Sequence, residues 1–179
     1  MRIISGSHRG KKINPPQSLP VRPTTDMAKE SLFNILNNFF YFDGIHVLDL
    51  FAGTGNISYE FAARGALSVV SVDINSACTQ FITKTAKALQ FDNMRVVHGD
   101  ALNFLGHCMQ PFNIIFADPP YDWDGYMRIP ELVFGNGLLQ PDGFLVLEHP
   151  GTLDFGEVPH FFQHRSYGRV NFSFFAENL

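Results

Sequence analysis

The hydrophobic positions from residue 45 onward alternate between short apolar runs and longer amphipathic stretches. The amphipathic stretches predict helices near residues 56–64, 75–90, 101–109 and 124–135. The apolar runs predict five strands, at His46–Leu50, Ser68–Asp73, Met94–His98, Phe112–Ala117 and 143–148. Short apolar strands that alternate with helices indicate a parallel sheet with helices on both faces.

Both ends of the chain depart from this alternation. Residues 2–4 and 11–13 are short extended pieces on either side of two glycines, which predicts a small N-terminal hairpin. A proline-rich segment then forms a stiff linker, and the polar side chains of residues 24–26 predict the start of a helix that continues to Phe39. Aromatic residues at Phe161–Tyr167 and 169–176 predict a closing hairpin. We therefore divide the chain into residues 1–23, a hairpin and linker, and residues 24–179, an α/β domain.

The composition is that of a single globular domain. The chain has 179 residues, of which 45% are hydrophobic and 17% are charged, so it can bury a core and is not a disordered tail. The segment after Met1 lacks the apolar stretch of a signal peptide, and no run approaches the roughly 18–20 residues of a membrane span, which predicts a cytoplasmic protein. Cys78 and Cys108 suit reduced thiols. The seven histidines lack ligand spacing, and residues 122–124 are interpreted as a solvated loop, so no metal is expected.

The formal net charge of −4 hides an uneven distribution. The first 25 residues contain no acid and five bases, which are Arg2, Arg9, Lys11, Lys12 and Arg22. The rest of the chain is strongly acidic. A basic arm on an acidic body predicts one face that meets a polyanion such as RNA or DNA, although a basic terminus can also be merely solvated.

A glycine-containing loop follows the first predicted strand of the sheet. Asp49 and Leu50 end that strand, and Phe51-Ala52-Gly53-Thr54-Gly55 leads into the next helix. Glycines at this place let the backbone turn tightly and approach a nucleotide-like ligand at the helix N-terminus. The dinucleotide fingerprint G-x-G-x-x-G is incomplete, because Ser58 occupies the third glycine position. An ordinary strand–helix turn is the alternative.

Acidic residues end the next two predicted strands. Asp73 is placed to accept hydrogen bonds from both hydroxyls of a ribose, which fits either NAD or S-adenosylmethionine. Asp100 follows the third strand on the same sheet edge, where it can meet an adenine amino group or serve only as a helix N-cap.

The most informative motif is Asp118-Pro119-Pro120-Tyr121, directly after the apolar strand Phe112–Ala117. A carboxylate and a Pro-Pro corner present several acceptor oxygens without competing amide donors. The aromatic ring that follows can stack on a flat base. This combination suits an amino group attached to a purine or pyrimidine.

Together these motifs resemble the class I S-adenosylmethionine-dependent methyltransferases that act on amino groups. More narrowly, the chain is similar to the bacterial 16S rRNA (guanine-N2)-methyltransferase family, RsmD. This narrower resemblance depends most on the N-terminal hairpin and on Arg22-Pro23-Thr24-Thr25-Asp26. It also includes Gly137-Leu138-Leu139, Glu148-His149 and Tyr167-Gly168. The family often has Glu and then Asp two residues later where this chain has Asp73 and Asn75.

The resemblance implies a Rossmann-like fold with a mostly parallel seven-stranded sheet, helices on both faces, a C-terminal antiparallel hairpin and an N-terminal β-hairpin arm. It implies methyl transfer from S-adenosylmethionine to the exocyclic N2 amine of a guanine in 16S rRNA. The substrate would be the 30S subunit or an assembly intermediate, and the enzyme a monomer.

The resemblance also implies roles for individual residues. Asp118 and the Pro119 carbonyl would accept the two N–H bonds of the amine, with Asp118 placed to take the released proton. The cofactor-binding residues would be Asp49, Phe51, Gly53, Thr54, Gly55, Asp73, Ile74, Asp100 and Ala101. The catalytic corner would be Asp118, Pro119, Pro120 and Tyr121, with Tyr121 stacked on the base. The RNA-binding residues would be Arg2, Arg9, Lys11, Lys12, Arg22, Thr24 and Thr25, of which the two threonines also fit helix capping.

Three other functions remain open from the sequence. A DNA adenine or cytosine amino-methyltransferase would use the same loop and corner, but the chain has little room for a recognition domain. An NAD-dependent oxidoreductase would leave Asp118–Tyr121 without a role. A non-catalytic RNA-binding assembly protein would leave the whole set of motifs without one.

Overall fold

The computed structural model describes residues 1–21 and 24–177. Its strands are β1 His46–Leu50, β2 Ser68–Asp73, β3 Met94–His98, β4 Phe112–Ala117, β5 Leu139–His149, β6 Phe161–Tyr167 and β7 Val170–Phe175. Its helices are α1 Asp26–Leu36, α2 Asn56–Ala63, α3 Ser76–Ala88, α4 Ala101–His107 and α5 Arg128–Gly135. The seven strands form one sheet in the order β3-β2-β1-β4-β5-β7-β6.

Strands β1 to β5 are parallel, and β7 runs antiparallel to both β5 and β6. The predicted mostly parallel sheet and its closing hairpin are therefore confirmed. Leu50 pairs with Val72 on one side and Ala117 on the other, and Ala117 pairs with Leu147. The carboxyl ends of four strands thus lie level at one edge. The strand order reverses between β1 and β4, which is where doubly wound sheets bind ligands.

Two hydrophobic layers cover the sheet. One contains side chains of α1, α2 and α3, such as Phe33, Phe61 and Ile82. The other contains side chains of α4 and α5, such as Leu105 and Val133. Because both faces are covered, β1, β2 and β4 are buried at almost every position.

The N-terminal hairpin packs onto α2. Arg2 and Lys12 form a single antiparallel bridge, so the predicted hairpin is present without regular strands. Ile3 and Ile13 are buried in the α1–α3 layer. Gly6 has a φ of +80°, and a Cβ added there would lie 1.9 Å from the Ala63 carbonyl oxygen. Only glycine therefore allows this close approach of the hairpin to the helix.

Three predicted boundaries differ from the structure by three or more residues. Helix α1 ends at Leu36, before Phe39, and α5 begins at Arg128 because two turns occupy the segment before it, from residue 120 to 128. Strand β5 begins at Leu139, four residues before its predicted start at residue 143, because the strand continues across a bulge. Gly143 lies at that bulge, where an added Cβ would meet the Gln140 carbonyl oxygen at 2.8 Å.

Among the residues that the structure describes, no helix has the length and hydropathy needed to cross a bilayer. Cys78 is buried, Cys108 is half-buried, and both are free thiols. Residues 1–21 and 24–177 contain no group of three or more His, Cys, Asp or Glu side chains placed to hold a metal ion.

Candidate active site

The glycine loop connects β1 to α2 through backbone conformations that favour glycine. Gly53 has a φ of +55°, and Gly55, the N-cap of α2, has a φ of +80°. A Cβ added at Gly55 would lie 2.8 Å from the Tyr59 ring, so no larger residue fits. A Cβ added at Gly53 would meet the Val21 side chain at 3.8 Å, an ordinary van der Waals contact, so the Val21 side chain lies beside the loop.

Asp73, at the end of β2, holds this loop. Its carboxylate accepts hydrogen bonds from the Gly53 amide at 2.8 Å and from the Asn75 amide at 2.7 Å, one to each oxygen. Each oxygen keeps a second acceptor position. Asp73 can therefore fix the loop and still accept the two hydroxyls of a ribose.

Asp49 lies beneath the loop and is almost fully buried. It accepts a hydrogen bond from the Ser58 hydroxyl, which also contacts the Ser71 hydroxyl at 2.7 Å. Burial raises the pKa of Asp49 to about 7; the Ser58 hydrogen bond opposes this effect, and the charges of Asp118 and Asp73 add to it. The serine that breaks the glycine fingerprint thus has a structural role as the partner of this carboxyl group.

The Asp118-Pro119-Pro120-Tyr121 corner lies beside the loop, at the end of β4. The Asp118 amide donates to the Leu50 carbonyl at 3.4 Å. The Tyr121 ring is half exposed, and its hydroxyl donates to the Arg169 carbonyl in the β6–β7 turn at 3.4 Å. An aromatic face therefore stands at the surface next to a largely buried carboxyl group.

Tyr126 contacts this corner and was missed by sequence reasoning. Its hydroxyl lies 3.2 Å from the Pro119 carbonyl oxygen and 3.0 Å from that of Pro120. Trp123 packs edge to face between Phe51 and Tyr126, with ring centroids 5.0 and 5.7 Å apart. The segment predicted to be a solvated loop is thus packed at Trp123, and it connects the glycine loop to the Pro-Pro corner.

Glu148 belongs to a segment that resembles the methyltransferase family, but it was not predicted as a site residue. It follows Leu147, and Asp118 follows Ala117, the residue that pairs with Leu147, so the two acids hold neighbouring positions on β5 and β4. Glu148 is 5% exposed, and its Oε2 atom has no hydrogen-bond partner among the described residues. Burial raises the pKa values of both acids, and the charge of Asp118 raises that of Glu148 further. The rule that located the other strand-end acids would also have found this one.

The remaining predicted cofactor residues are spread along the same edge. Ile74 is exposed directly after Asp73, and Ala101 is buried at the start of α4. Asp100 caps α4 by accepting from the Asn103 amide at 2.8 Å, as the capping alternative predicted. Thr54 is buried with its hydroxyl 3.4 Å from the Met1 sulfur, so it faces the hairpin.

Four of the predicted RNA-binding residues share one open cleft of about 700 Å³ between the hairpin and the start of α1. The lining residues are Met1, Arg2, Lys12, Asn14, Thr24, Thr25 and Asp26. Arg2 lies 3.5 Å from the Asp26 carboxylate, and Thr25 caps α1. Arg9 and Lys11 are exposed on the hairpin outside the cleft, and Arg22 lies outside the described residues.

A buried ionic network, which the sequence did not predict, fixes the hairpin. The Glu60 carboxylate on α2 contacts the Ile4 and Ser5 amides at 2.9 and 3.0 Å, Lys29 Nζ at 3.3 Å and Arg64 Nε at 2.9 Å. Lys29 also donates to the Arg2 carbonyl at 2.6 Å and to the Asn56 side-chain oxygen at 2.8 Å. The hairpin is therefore held against α1 and against the start of α2, next to the glycine loop.

Comparisons with known proteins agree over most of the chain. The family model described as Conserved hypothetical protein 95 matches residues 1–176. The chain is 35% identical over 167 residues to the Bacillus subtilis (strain 168) protein named "Putative rRNA methyltransferase YlbH", with 88% of this chain and 87% of that protein covered. It is 34% identical over 148 residues to "Ribosomal RNA small subunit methyltransferase D" of Escherichia coli (strain K12), with 83% and 74% covered.

A solved structure from Escherichia coli, described as "Putative methyltransferase yhhF", is similar in fold as well as in sequence. It superimposes with a TM-score of 0.84 at 30% identity, and the match covers 98% of this chain and 96% of that one. The fold, the loop and the corner thus occur in a chain that is similar over most of its length to proteins named as ribosomal RNA methyltransferases.

Proposed function

The chain belongs to the family described as Conserved hypothetical protein 95, and we propose that it methylates small-subunit ribosomal RNA with S-adenosylmethionine as methyl donor. The names of the two relatives support the reaction and the class of RNA. At a finer level, we propose that the target is the exocyclic N2 amine of a guanine in 16S rRNA. The substrate in this proposal is the 30S particle or an assembly intermediate, and the enzyme acts as a cytoplasmic monomer.

The proposal is carried by one juxtaposition. The glycine loop, the Asp73 carboxylate and the Asp118–Tyr121 corner meet at one sheet edge, on either side of the β1–β4 reversal. A cofactor-binding half and an amine-binding half are therefore placed side by side, as a direct group transfer requires.

The residues on the cofactor side fit S-adenosylmethionine, which supplies an electrophilic methyl group on a positively charged sulfur. Asp73 keeps acceptor positions for the ribose hydroxyls, and Gly53 has no side chain that would hold a ligand away from the loop backbone. Asp49, Asp73 and Asp118 take part in none of the ion pairs among the described residues. Their uncompensated charge favours a cationic ligand.

The corner is suited to an aromatic amine. The lone pair of a guanine amine is delocalised into its ring, so the nitrogen must be held in line and its developing charge stabilised. The Asp118 carboxylate accepts one N–H bond. The Pro119 carbonyl accepts the other, because a carbonyl oxygen has two acceptor positions and Tyr126 uses only one. Tyr121 stacks on the base once it is displaced from its neighbours.

The hairpin supplies the RNA-binding surface in this proposal. Arg2 and Lys12 line the cleft, and Arg9 and Lys11 extend the positive charge along the hairpin. Since the rest of the chain is acidic, phosphate binding depends on this arm.

The test is methyl transfer from labelled S-adenosylmethionine to small ribosomal subunits that lack the modification, followed by nucleoside analysis. We expect N2-methylguanosine at one site of the 16S rRNA. Asp118→Ala should abolish it while cofactor binding persists, and Asp122→Ala, which removes an exposed acid from the same loop, should not.

Two outcomes would overturn the proposal. Labelling of DNA adenine or cytosine instead of RNA would favour the DNA amino-methyltransferase alternative. Binding of the small subunit without any binding of S-adenosylmethionine would favour a non-catalytic assembly protein.

A further inference from the structure

Glu148 is a buried acid to which the proposed reaction assigns no task. It is 5% exposed, and one of its carboxyl oxygens makes no hydrogen bond to any residue that the structure describes. An ionised carboxylate in such a place loses its hydration without compensation, which is energetically unfavourable. A neutral carboxylic acid avoids most of this cost, and its O–H group can donate a hydrogen bond.

The surroundings of Glu148 contain acids and phenols. Asp118 directly follows β4 at the adjacent position, and Asp49 is the penultimate residue of the next strand, β1. Tyr121 and Tyr126 belong to the corner; burial raises the pKa values of both hydroxyls, and the charge of Asp118 adds to this effect. On the other side, Phe172 of β7 pairs with Glu148, and Arg165 of β6 pairs with Phe172. No ion pair among the described residues includes Glu148 or Asp118.

Two neighbouring carboxyl groups in a site of this kind cannot both ionise near neutral pH, because each charge raises the energy of the other. The pair therefore keeps one proton over a wide pH range. Glu148 is the more buried residue and has the unpartnered oxygen, whereas Asp118 is partly exposed at the mouth of the site. The proton belongs on Glu148 and the negative charge on Asp118.

We propose that Glu148 and Asp118 share a single proton, and that Glu148 is a positioning residue whose neutral carboxyl group keeps Asp118 ionised and oriented toward the amine of the target base. The inference rests on the proposed function for the identity of that amine. It assigns a task to an acid on β5, one strand beyond the corner that carries the motif.

The proton balance of the transfer follows from this arrangement. The bond from the amine nitrogen to the methyl carbon forms as the carbon–sulfur bond breaks, and the electron pair of the broken bond stays on sulfur. The nitrogen then loses one proton to the Asp118 carboxylate. The acid pair now holds two protons, and one is released to water when the product leaves.

The first test is a carboxyl-carbon NMR titration of the full-length protein, with the Glu148 resonance assigned by its loss in Glu148→Gln. We expect Glu148 to remain neutral at pH 7, well after the exposed glutamates have ionised. In Asp118→Asn the midpoint of Glu148 should fall by at least about one pH unit, because the neighbouring charge is gone. Ionisation of Glu148 together with the exposed glutamates, or a midpoint unchanged in Asp118→Asn, overturns the shared proton.

The second test separates positioning from simple packing. Glu148→Gln keeps a neutral hydrogen-bond donor, so kcat should stay within about threefold of wild type, whereas Glu148→Leu keeps only the volume and should lose at least about tenfold. The Kd for S-adenosylmethionine should be unchanged in both. Full activity of Glu148→Leu contradicts the positioning role.

If Glu148→Leu does not fold, Glu148→Gln and the titration still decide the matter. The titration needs no RNA, so a wild-type protein that shows the shared proton but methylates no RNA overturns the proposed function alone.

Discussion

Two buried glutamates in this molecule have opposite surroundings. Glu60, under the hairpin, is 0% exposed, and its carboxylate contacts Lys29, Arg64 and two backbone amides. Glu148, at the carboxyl edge of the sheet, is 5% exposed, and one of its oxygens has no hydrogen-bond partner in the described parts of the chain. The two side chains are buried to nearly the same extent. Cations and amide donors surround the Glu60 carboxylate, whereas one Glu148 oxygen has no such partner among the described residues.

This difference separates a structural site from a reactive one. A carboxylate that meets two cations and two amides is held in place and joins the elements around it. A buried carboxyl group that meets another acid is free to hold or release a proton, and perturbed groups of this kind cluster where ligands bind. Changes near Glu60 should therefore affect stability first, and changes near Glu148 should affect turnover first.

The largest expected effect is at the catalytic edge. Asp118→Ala removes the acceptor of the amine proton, so kcat should fall by about 10²–10⁴-fold while the Kd for S-adenosylmethionine stays nearly constant. Single-turnover methyl transfer and equilibrium cofactor binding measure the two quantities. Asp122→Ala is the matched control. A wild-type rate in Asp118→Ala would show that the acids at this sheet edge are not a reactive site.

Disruption of the Glu60 ionic network under the hairpin should lower the stability of the protein more than its turnover. Glu60→Gln leaves the Lys29 ammonium group buried without its counter-ion, so the free energy of unfolding should fall by about 3–5 kcal/mol. Urea unfolding at neutral pH measures the loss. The exposed Glu30→Gln on α1 should cost less than about 0.5 kcal/mol. If the two variants lose equal stability, the Glu60 ionic network does not stabilise the fold.

The pH dependence of stability should identify the uncompensated acid. The folded protein raises the pKa of Glu148, so the stability that this group contributes is complete in acid and is lost as pH rises through the folded-state pKa. Relative to wild type, Glu148→Gln should gain at least about 1 kcal/mol in free energy of unfolding between pH 5 and pH 9. Urea midpoints across that range test this, with Glu30→Gln as control. A constant difference between Glu148→Gln and wild type would mean that Glu148 does not titrate abnormally.

The smallest effect should come from the hydroxyl that holds the corner. Tyr126→Phe removes a buried hydrogen bond to the Pro-Pro carbonyls and should cost about 1 kcal/mol of stability and about fivefold in kcat, without a change in cofactor Kd. Tyr41→Phe is the control, since Tyr41 is 96% exposed. Equal kcat values for Tyr126→Phe and Tyr41→Phe would show that the corner needs no such support.

The sequence was sufficient for those elements whose signals are local. Strands β1 to β4 have the predicted bounds, because each contains a short cluster of apolar residues whose limits are visible along the chain. The bulge at Gly143 has no such signal, so the start of β5 was missed. The turns before α5 bring Tyr126 to the Pro-Pro corner through a contact that helical periodicity does not encode.

The candidate site divides in the same way. The residues at the ends of β1, β2 and β4 were found because strand-end acids and glycines are visible along the chain. Glu148 is also an acid at the carboxyl end of a strand, so the same rule could have identified it as a site residue. Glu60 was not, because a charge in the middle of a helix is usually solvated, and its burial depends on the hairpin and Lys29 folding over it.

The most direct test of the account is the nucleoside analysis of small ribosomal subunits after incubation with S-adenosylmethionine and either the wild-type protein or Asp118→Ala. We expect N2-methylguanosine at a single 16S site with the wild type and, under initial-rate conditions, at most about one hundredth of that amount with the variant. A different methylated nucleoside, or equal modification by both proteins, would contradict it.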